Sequence, residues 1–328
     1  MLSRLILIME CSRVFSLPTT IFSWLVVFIY SLVYSGSILY GIIALIGIIF
    51  AHLGTNTIDD YFDYKFLIKQ VGFDKTEYLK YSQKTKCRYI INGFMKESEL
   101  LLLSMLYFLI AFLTGVFLFY KCGIGVCYFA LIGGLIGILY PFISRICLSE
   151  VAVALAYGPV LFGGVYYVMT GQYSLNVFIL SLPTMFMTVV LLYIHTIMDY
   201  KYDVEEGKLT LANRFSTPTN SLLILKYLLT LAYISLLLLP IFDILDWQIF
   251  IVFLTIPLGK NLYKSMQDFL LNPNDIPIKK WYHFPIENIE KFKKQGEFSF
   301  MFRMLQTRNL MIYFSLFLIL SIIFGLVI

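Results

Sequence analysis

Residues 151–198 read VAVALAYGPVLFGGVYYVMTGQYSLNVFILSLPTMFMTVVLLYIHTIM and contain no Asp, Glu, Lys or Arg. A charge-free run of this length is enough for two bilayer crossings of roughly 20 residues each. Its middle, Gly171-Gln172-Tyr173-Ser174, supplies the polar hairpin between them. A buried helix in a soluble domain has no need of such a length. The same arrangement recurs nearer the N-terminus, where no charged residue separates Arg13 from Asp59 and Ser35-Gly36-Ser37 marks the turn. Composition agrees: 14% of the 328 residues are charged and 59% hydrophobic, whereas a soluble domain carries about 25% charged residues.

Working outward from these two runs, nine spans are expected, at 15–34, 37–58, 100–120, 123–144, 151–170, 174–198, 219–241, 244–262 and 309–328. The eighth has the shortest apolar core, with Asp246 near its start, and Lys226 in the seventh lies near enough to an end to snorkel outward. The chain thus reads as an all-α, multi-pass integral membrane protein. With nine spans, all but Lys121 of the 25 Lys and Arg residues fall on one face. By the positive-inside rule that face is cytoplasmic, so the N-terminus is expected inside and the C-terminus outside, with a bacterial inner membrane as the expected location.

The first residues read as an interfacial helix, because Arg4, Glu10 and Arg13 interrupt any signal-peptide core. Five cysteines form no C-x-x-C pair, so neither a zinc site nor a disulfide framework is expected. The net charge of +5 is a topology signal and implies no nucleic-acid partner.

Acidic residues concentrate at two places. NTIDDYFDYK at 56–65 ends the second span, and DYKYDVEEGKLTLANRF at 199–215 ends the sixth. Residues spaced four and seven apart share a helix face, which aligns Asn56, Asp60 and Asp63, with Asp59 beside them, and likewise His195, Asp199, Asp203 and Glu206. Both clusters end even-numbered spans, so they lie at one depth on one side. Carboxylates held close repel unless a cation lies between them. Magnesium suits such a site, since it takes one or two carboxylates and completes its shell with water and phosphate oxygens. One such cluster alone is ordinarily a solvated helix end; two with matching spacing argue for a site. An ion transporter would set its carboxylates near the midplane, and these lie at the ends.

The two motifs, the nine spans and the long cytoplasmic segments 59–99 and 263–308 resemble the UbiA superfamily of intramembrane prenyltransferases. The likeness is nearest to the branch that prenylates 1,4-dihydroxy-2-naphthoate in menaquinone synthesis, and it covers roughly residues 10–328 of a single domain, 1–328. That branch carries N-x-x-N-D-Y-x-D followed by G-x-D, matched by Asn56, Asp60, Tyr61, Asp63 and Gly72-Phe73-Asp74. Its second motif, D-x-x-x-D-x-x-x-G-K-x-T-L-A, is matched by Asp199, Asp203, Gly207, Lys208, Thr210, Leu211 and Ala212. Departures are Asp59 in place of Asn, His195 in place of Asn, Lys84-Thr85-Lys86-Cys87-Arg88 before the third span, and the polar 263–308 insert.

The resemblance implies a helical bundle with cytoplasmic cap loops, a Mg2+ cofactor, and polyprenyl diphosphate and an aromatic acceptor as substrates. It implies Asn56, Asp59, Asp60, Asp63, Asp199 and Asp203 as metal ligands and Asn56, Lys208, Arg88, Arg145 and Arg13 around the diphosphate or acceptor. Tyr140, which matches a family position, and Tyr157, Tyr193 and Tyr200 offer ring faces to a prenyl cation. His52 is expected to be hydrogen-bonded within helix packing. Two other readings stay open: a prenyl-diphosphate cyclase using the Asp59-Asp60-Tyr61-Phe62-Asp63 string, and an ion-coupled transporter.

Overall fold

The computed structural model describes residues 2–69, 87–205, 207–214, 217–273, 275, 277–287, 289–296 and 298–327. Its helices are α1 (Leu2–Cys11), α2 (Leu17–Val33), α3 (Ile38–Leu67), α4 (Arg88–Ile91), α5 (Glu97–Cys122), α6 (Gly125–Ile143), α7 (Ser149–Leu155) and α8 (Leu161–Thr170). They continue as α9 (Leu175–Met198), α10 (Tyr200–Glu205), α11 (Leu211–Arg214), α12 (Pro218–Ile234), α13 (Leu238–Ile241), α14 (Ile256–Leu271), α15 (Ile289–Gln295) and α16 (Phe298–Val327). Among the described residues the only β pairing is an isolated parallel bridge between Ile146 and Leu209. In lipid no water pairs with exposed backbone groups, so helices that satisfy their own hydrogen bonds are the form such a chain takes.

Eight helical stretches among the described residues are long and apolar enough to cross a membrane, where nine spans were expected. The difference falls on 244–262. Residues Trp247–Thr255 are wound as 3-10 helix, and α14 carries on to Leu271 with Lys260, Asn261 and Lys264 in it. No single long apolar α-helix results. This composite segment nevertheless lies antiparallel to α16, since Ser321 donates to the Gln248 carbonyl at 2.9 Å and Arg303 to the Ser265 carbonyl at 2.9 Å. The polar insert 263–308 is also less of a loop than expected, because α14, α15 and the start of α16 occupy much of it.

Burial sorts the helices. In α9 67% of the apolar stretch is buried, against 11% in α5, so α9 is the central post and α5 faces lipid. Leu113 and Phe117 of α5 are exposed apolar side chains of the kind that acyl chains cover. Close helix approach uses small residues, as is usual where lipid offers no hydrophobic drive: a Cβ at Gly137 of α6 would lie 2.6 Å from Thr55 Oγ1 on α3. The fifth span is interrupted. Between α7 and α8, Ala156–Val160 forms a π turn in which Gly158 leaves helical geometry (φ −92°, ψ −110°) next to Pro159. Proline lacks the N–H that continues the ladder, which is the physical cause of the kink.

Candidate active site

The C-terminal part of α3 carries Asn56, Asp59, Asp60 and Asp63, and all three aspartates are buried. Burying carboxylates requires partners, and the surrounding elements provide them. Arg13 lies just beyond α1 in the left-handed region (φ 51°), a conformation that turns its side chain onto α3. Its guanidinium forms an ion pair with Asp60 and sits 3.7 Å from Asp59 Oδ2. Burial alone pulls the Arg13 guanidinium down, but Asp60 and Asp59 outweigh it and hold its pKa above the ordinary value, so it stays charged. Tyr89 of α4 donates to Asp60 Oδ2 at 2.8 Å, and Cys87 Sγ donates to the Asp60 carbonyl at 3.2 Å. Burial and then the charge of Asp60 push the Tyr89 phenol well above its ordinary range, which keeps it a donor. Asn56 Nδ2 donates to the Ser12 carbonyl at 3.1 Å.

The second motif begins where α9 stops. Asp199 caps α9 and the chain restarts as α10, with the Asp203 N–H donating to the Asp199 carbonyl at 2.9 Å. Gly207, at φ 64°, makes the next turn, which a side chain would strain. The Lys208 N–H then donates to the Asp203 carbonyl at 2.8 Å, and Asn213 Nδ2 donates to the Lys208 carbonyl at 2.6 Å. The loop is pinned to the α6–α7 connection by the bridge: the Leu209 N–H donates to the Arg145 carbonyl at 3.3 Å and the Cys147 N–H to the Leu209 carbonyl at 2.9 Å.

Asp63 joins the two motifs. Arg145 Nη2 donates to its Oδ1 at 3.0 Å, and Lys208 Nζ lies 3.9 Å from its Oδ2. The Arg145 guanidinium also stacks 4.1 Å over the Phe66 ring. His195 Nδ1 is 3.4 Å from Asp199 Oδ2.

Both motifs open onto one cavity of about 2180 Å³, more than twice the upper size of about 1,000 Å³ usual for drug-sized ligands. Asn56, Asp59 and Asp60 of the first motif and His195, Asp199, Asp203 and Lys208 of the second line its polar end. Tyr140, Tyr157, Arg13 and His52 also lie on its wall, and the remaining surface from α3, α5, α6 and α8 is largely apolar. The cavity therefore offers a charged end and a long apolar body.

Among the described residues no three His, Cys, Asp or Glu side chains converge as a ready-made metal cage. The donor chemistry fits magnesium in another way. Hard oxygen donors flank one opening in ones and twos, which is how Mg2+ is held when substrate phosphates complete its shell.

The structure thus brings Asn56, Asp59, Asp60, Asp199, Asp203, Lys208, Tyr140 and Arg13 to one cavity. It sets Asp63 and Arg145 behind the wall, paired with each other. Tyr193 is packed in the core and Tyr200 lies against it, so neither reaches the cavity. Asp74, Gly72, Phe73, Glu206 and the Arg88 side chain lie outside the described residues. Sequence reasoning left His52 in the helix packing, and it is hydrogen-bonded there: Nε2 meets Ser16 Oγ at 2.7 Å, and Nδ1 meets Thr20 Oγ1 at 2.9 Å and the Tyr157 hydroxyl. It missed Glu287 and Arg308, which line the cavity. The available signal was the polar string Gln306-Thr307-Arg308-Asn309 at the head of an apolar run.

Residues 16–284 match the UbiA prenyltransferase family. No protein of curated function matches the chain at the sequence level. Solved structures with the same fold include a digeranylgeranylglyceryl phosphate synthase, at 18% identity and a TM-score of 0.57, with 98% of this chain and 99% of that one covered. A UbiA homologue from Archaeoglobus fulgidus bound to GPP and Mg2+ aligns at 15% identity and a TM-score of 0.53, covering 92% and 99%. The apo structure of a UbiA homologue from Aeropyrum pernix K1 aligns at 14% identity and a TM-score of 0.58, covering 90% and 96%.

Proposed function

This chain belongs to the UbiA prenyltransferase family, and from that premise we propose that it moves a polyprenyl group from an allylic diphosphate onto an aromatic acceptor. The acceptor we assign is 1,4-dihydroxy-2-naphthoate, which makes the product a menaquinone precursor. The observation that carries the reading is the polarity of the cavity: two aspartate motifs and Lys208 at one end, and an apolar body large enough for a prenyl chain. The GPP and Mg2+ bound by the Archaeoglobus homologue support the same donor and metal class.

Asn56, Asp59, Asp60, Asp199 and Asp203 would hold Mg2+, which when bound neutralises the charge on the departing diphosphate. Lys208 presents an ammonium to the phosphate oxygens from the same wall. Arg13 and Tyr89 fix the Asp60 carboxylate, while the Arg145–Asp63–Lys208 cluster holds the second motif against the first. Tyr140 and Tyr157 offer ring faces where positive charge develops on the prenyl carbon. The apolar body excludes water, so the carbon reacts with the acceptor ring and not with solvent.

In this reading the whole chain is one transferase unit with nine crossings, 247–271 supplying the eighth. The N-terminus and the aspartate motifs then face the cytoplasm of a bacterial cell, and the basic residues fall on that side. Purified protein with Mg2+ and a polyprenyl diphosphate should yield a prenylated product with dihydroxynaphthoate in a panel that includes 4-hydroxybenzoate and homogentisate, read by mass spectrometry. Diphosphate release without acceptor, with a cyclised hydrocarbon, would replace transfer by cyclisation.

A further inference from the structure

Beside the polar end, part of the cavity wall carries none of the carboxylates proposed for Mg2+. Where α9 packs on α16, the wall is built from Leu191, His195, Phe300, Met304 and Leu305, with Phe292 of α15 beside them, and the His195 ring stands edge-on to Phe300 at 5.6 Å. This is a slot for a flat apolar group, lined by aromatic, Met and Leu side chains. Arg308 and Glu287 stand on the same wall.

Their pairing is unequal. The Arg308 side chain is 7% exposed, whereas that of Glu287 is 52% exposed. The contact is bidentate, with Nη1 donating to Oε2 at 3.0 Å and Nη2 to Oε1 at 3.2 Å. The guanidinium is fixed independently of Glu287. Nη2 donates to the Pro285 carbonyl at 3.2 Å, and Nε and Nη2 donate to Asn309 Oδ1 at 3.3 and 3.1 Å. Asn309 is anchored in turn, its Nδ2 donating to the His283 and Pro285 carbonyls at 2.6 and 2.7 Å. A rigid, buried fork of donors is therefore filled by a carboxylate on a half-exposed side chain that water can accept at little cost.

We propose that Arg308 is the carboxylate-recognition residue of a binding subsite for an aromatic carboxylate, and that Glu287 fills the fork when no ligand is bound. An incoming planar carboxylate takes both guanidinium N–H groups, its ring enters the Phe300–Met304 slot, and Glu287 turns to solvent. The subsite gives the acceptor in the proposed transfer its place, and in that respect it rests on that reading.

The test is binding without donor or turnover, so failure of the transferase reading leaves it intact. Affinities of 1-hydroxy-2-naphthoate and uncarboxylated 1-naphthol are measured by calorimetry on the full chain in detergent. In the wild type the naphthoate binds roughly tenfold or more tighter, the fold-change of a charge-assisted hydrogen bond. Glu287→Gln, which keeps the shape and removes the competing charge, tightens the naphthoate roughly threefold or more and leaves naphthol unchanged. Arg308→Gln removes the preference for the carboxylate. Should that variant fail to fold, Glu287→Gln decides alone. No naphthoate preference in the wild type, no change in Glu287→Gln, or equal losses for both ligands in a folded Arg308→Gln would each overturn the proposal.

Discussion

Replacing Arg145 by Ala separates two roles for one guanidinium. Sequence reasoning set Arg145 on the diphosphate; the structure sets it on Asp63 at 3.0 Å, behind the cavity wall. The two side chains are 18% and 10% exposed, so the pair is largely removed from water. Breaking a buried pair by deleting one partner costs roughly 3–5 kcal/mol. Here Lys208 at 3.9 Å still faces the Asp63 carboxylate, which brings the cost to about 2–3 kcal/mol. Loss of the stack on Phe66 adds about 0.5–1 kcal/mol. At roughly 2 °C per kcal/mol for a chain of this size, the melting temperature should fall by about 5–8 °C. Thermal unfolding in detergent, followed by tryptophan fluorescence, measures it. Adding Asp63→Asn removes the carboxylate's charge and should recover about half of the loss. A variant that melts like the wild type but needs far more prenyl diphosphate for half-maximal rate would refute the strut and restore Arg145 to the substrate.

Three further outcomes follow from other parts of the molecule. Because no three metal donors converge among the described residues, Mg2+ alone should bind weakly and Mg2+ with inorganic diphosphate tightly; tight binding of the metal by itself in calorimetry would contradict this. His283 is buried, its Nδ1 accepting the Lys280 N–H at 3.2 Å and its Nε2 paired with Asn261 Oδ1 at 2.9 Å. Burial and then Lys280 hold its pKa below the usual 6.5. The unfolded chain therefore binds a proton that the folded chain refuses, so stability should decline as pH falls below about 6.5, and His283→Gln should flatten that decline in melting curves. Gly125→Ala sets a Cβ 2.2 Å from the Tyr167 ring and 2.5 Å from the Tyr173 hydroxyl. It should cost about 1–3 kcal/mol of stability while the Mg2+ dependence of turnover stays as in the wild type, checked by melting and by diphosphate release.

Much of the fold is legible because bilayer crossing demands long charge-free runs, and 14–58 and 151–198 supply two each. The span expected at 244–262 is the exception, since its hydrophobic start is wound as 3-10 helix and the helix that follows carries Lys260, Asn261 and Lys264. Helix periodicity aligned Asn56, Asp60 and Asp63 on one face; in the structure Asn56 and Asp60 line the cavity, and Asp63 is paired with Arg145. The stripe argument fixes direction around an axis and says little about height: Asp63 lies about 4.5 Å beyond Asp60 along α3, where Arg145 and Lys208 close on it. The partners of Asp60 were out of reach for a different reason. Arg13 and Tyr89 come from segments 47 and 29 residues away, and no local pattern announces which carboxylate a distant cation meets.

The central claim is that the two aspartate motifs act together on one diphosphate at the cavity's polar end. It is tested most directly by prenyl transfer to 1,4-dihydroxy-2-naphthoate in the wild type and in Asp60→Asn and Asp203→Asn, with product read by mass spectrometry across a Mg2+ series. The expected result is a Mg2+-dependent product that falls roughly 100-fold or more in each variant. Product formation at the wild-type rate in either variant would contradict the account.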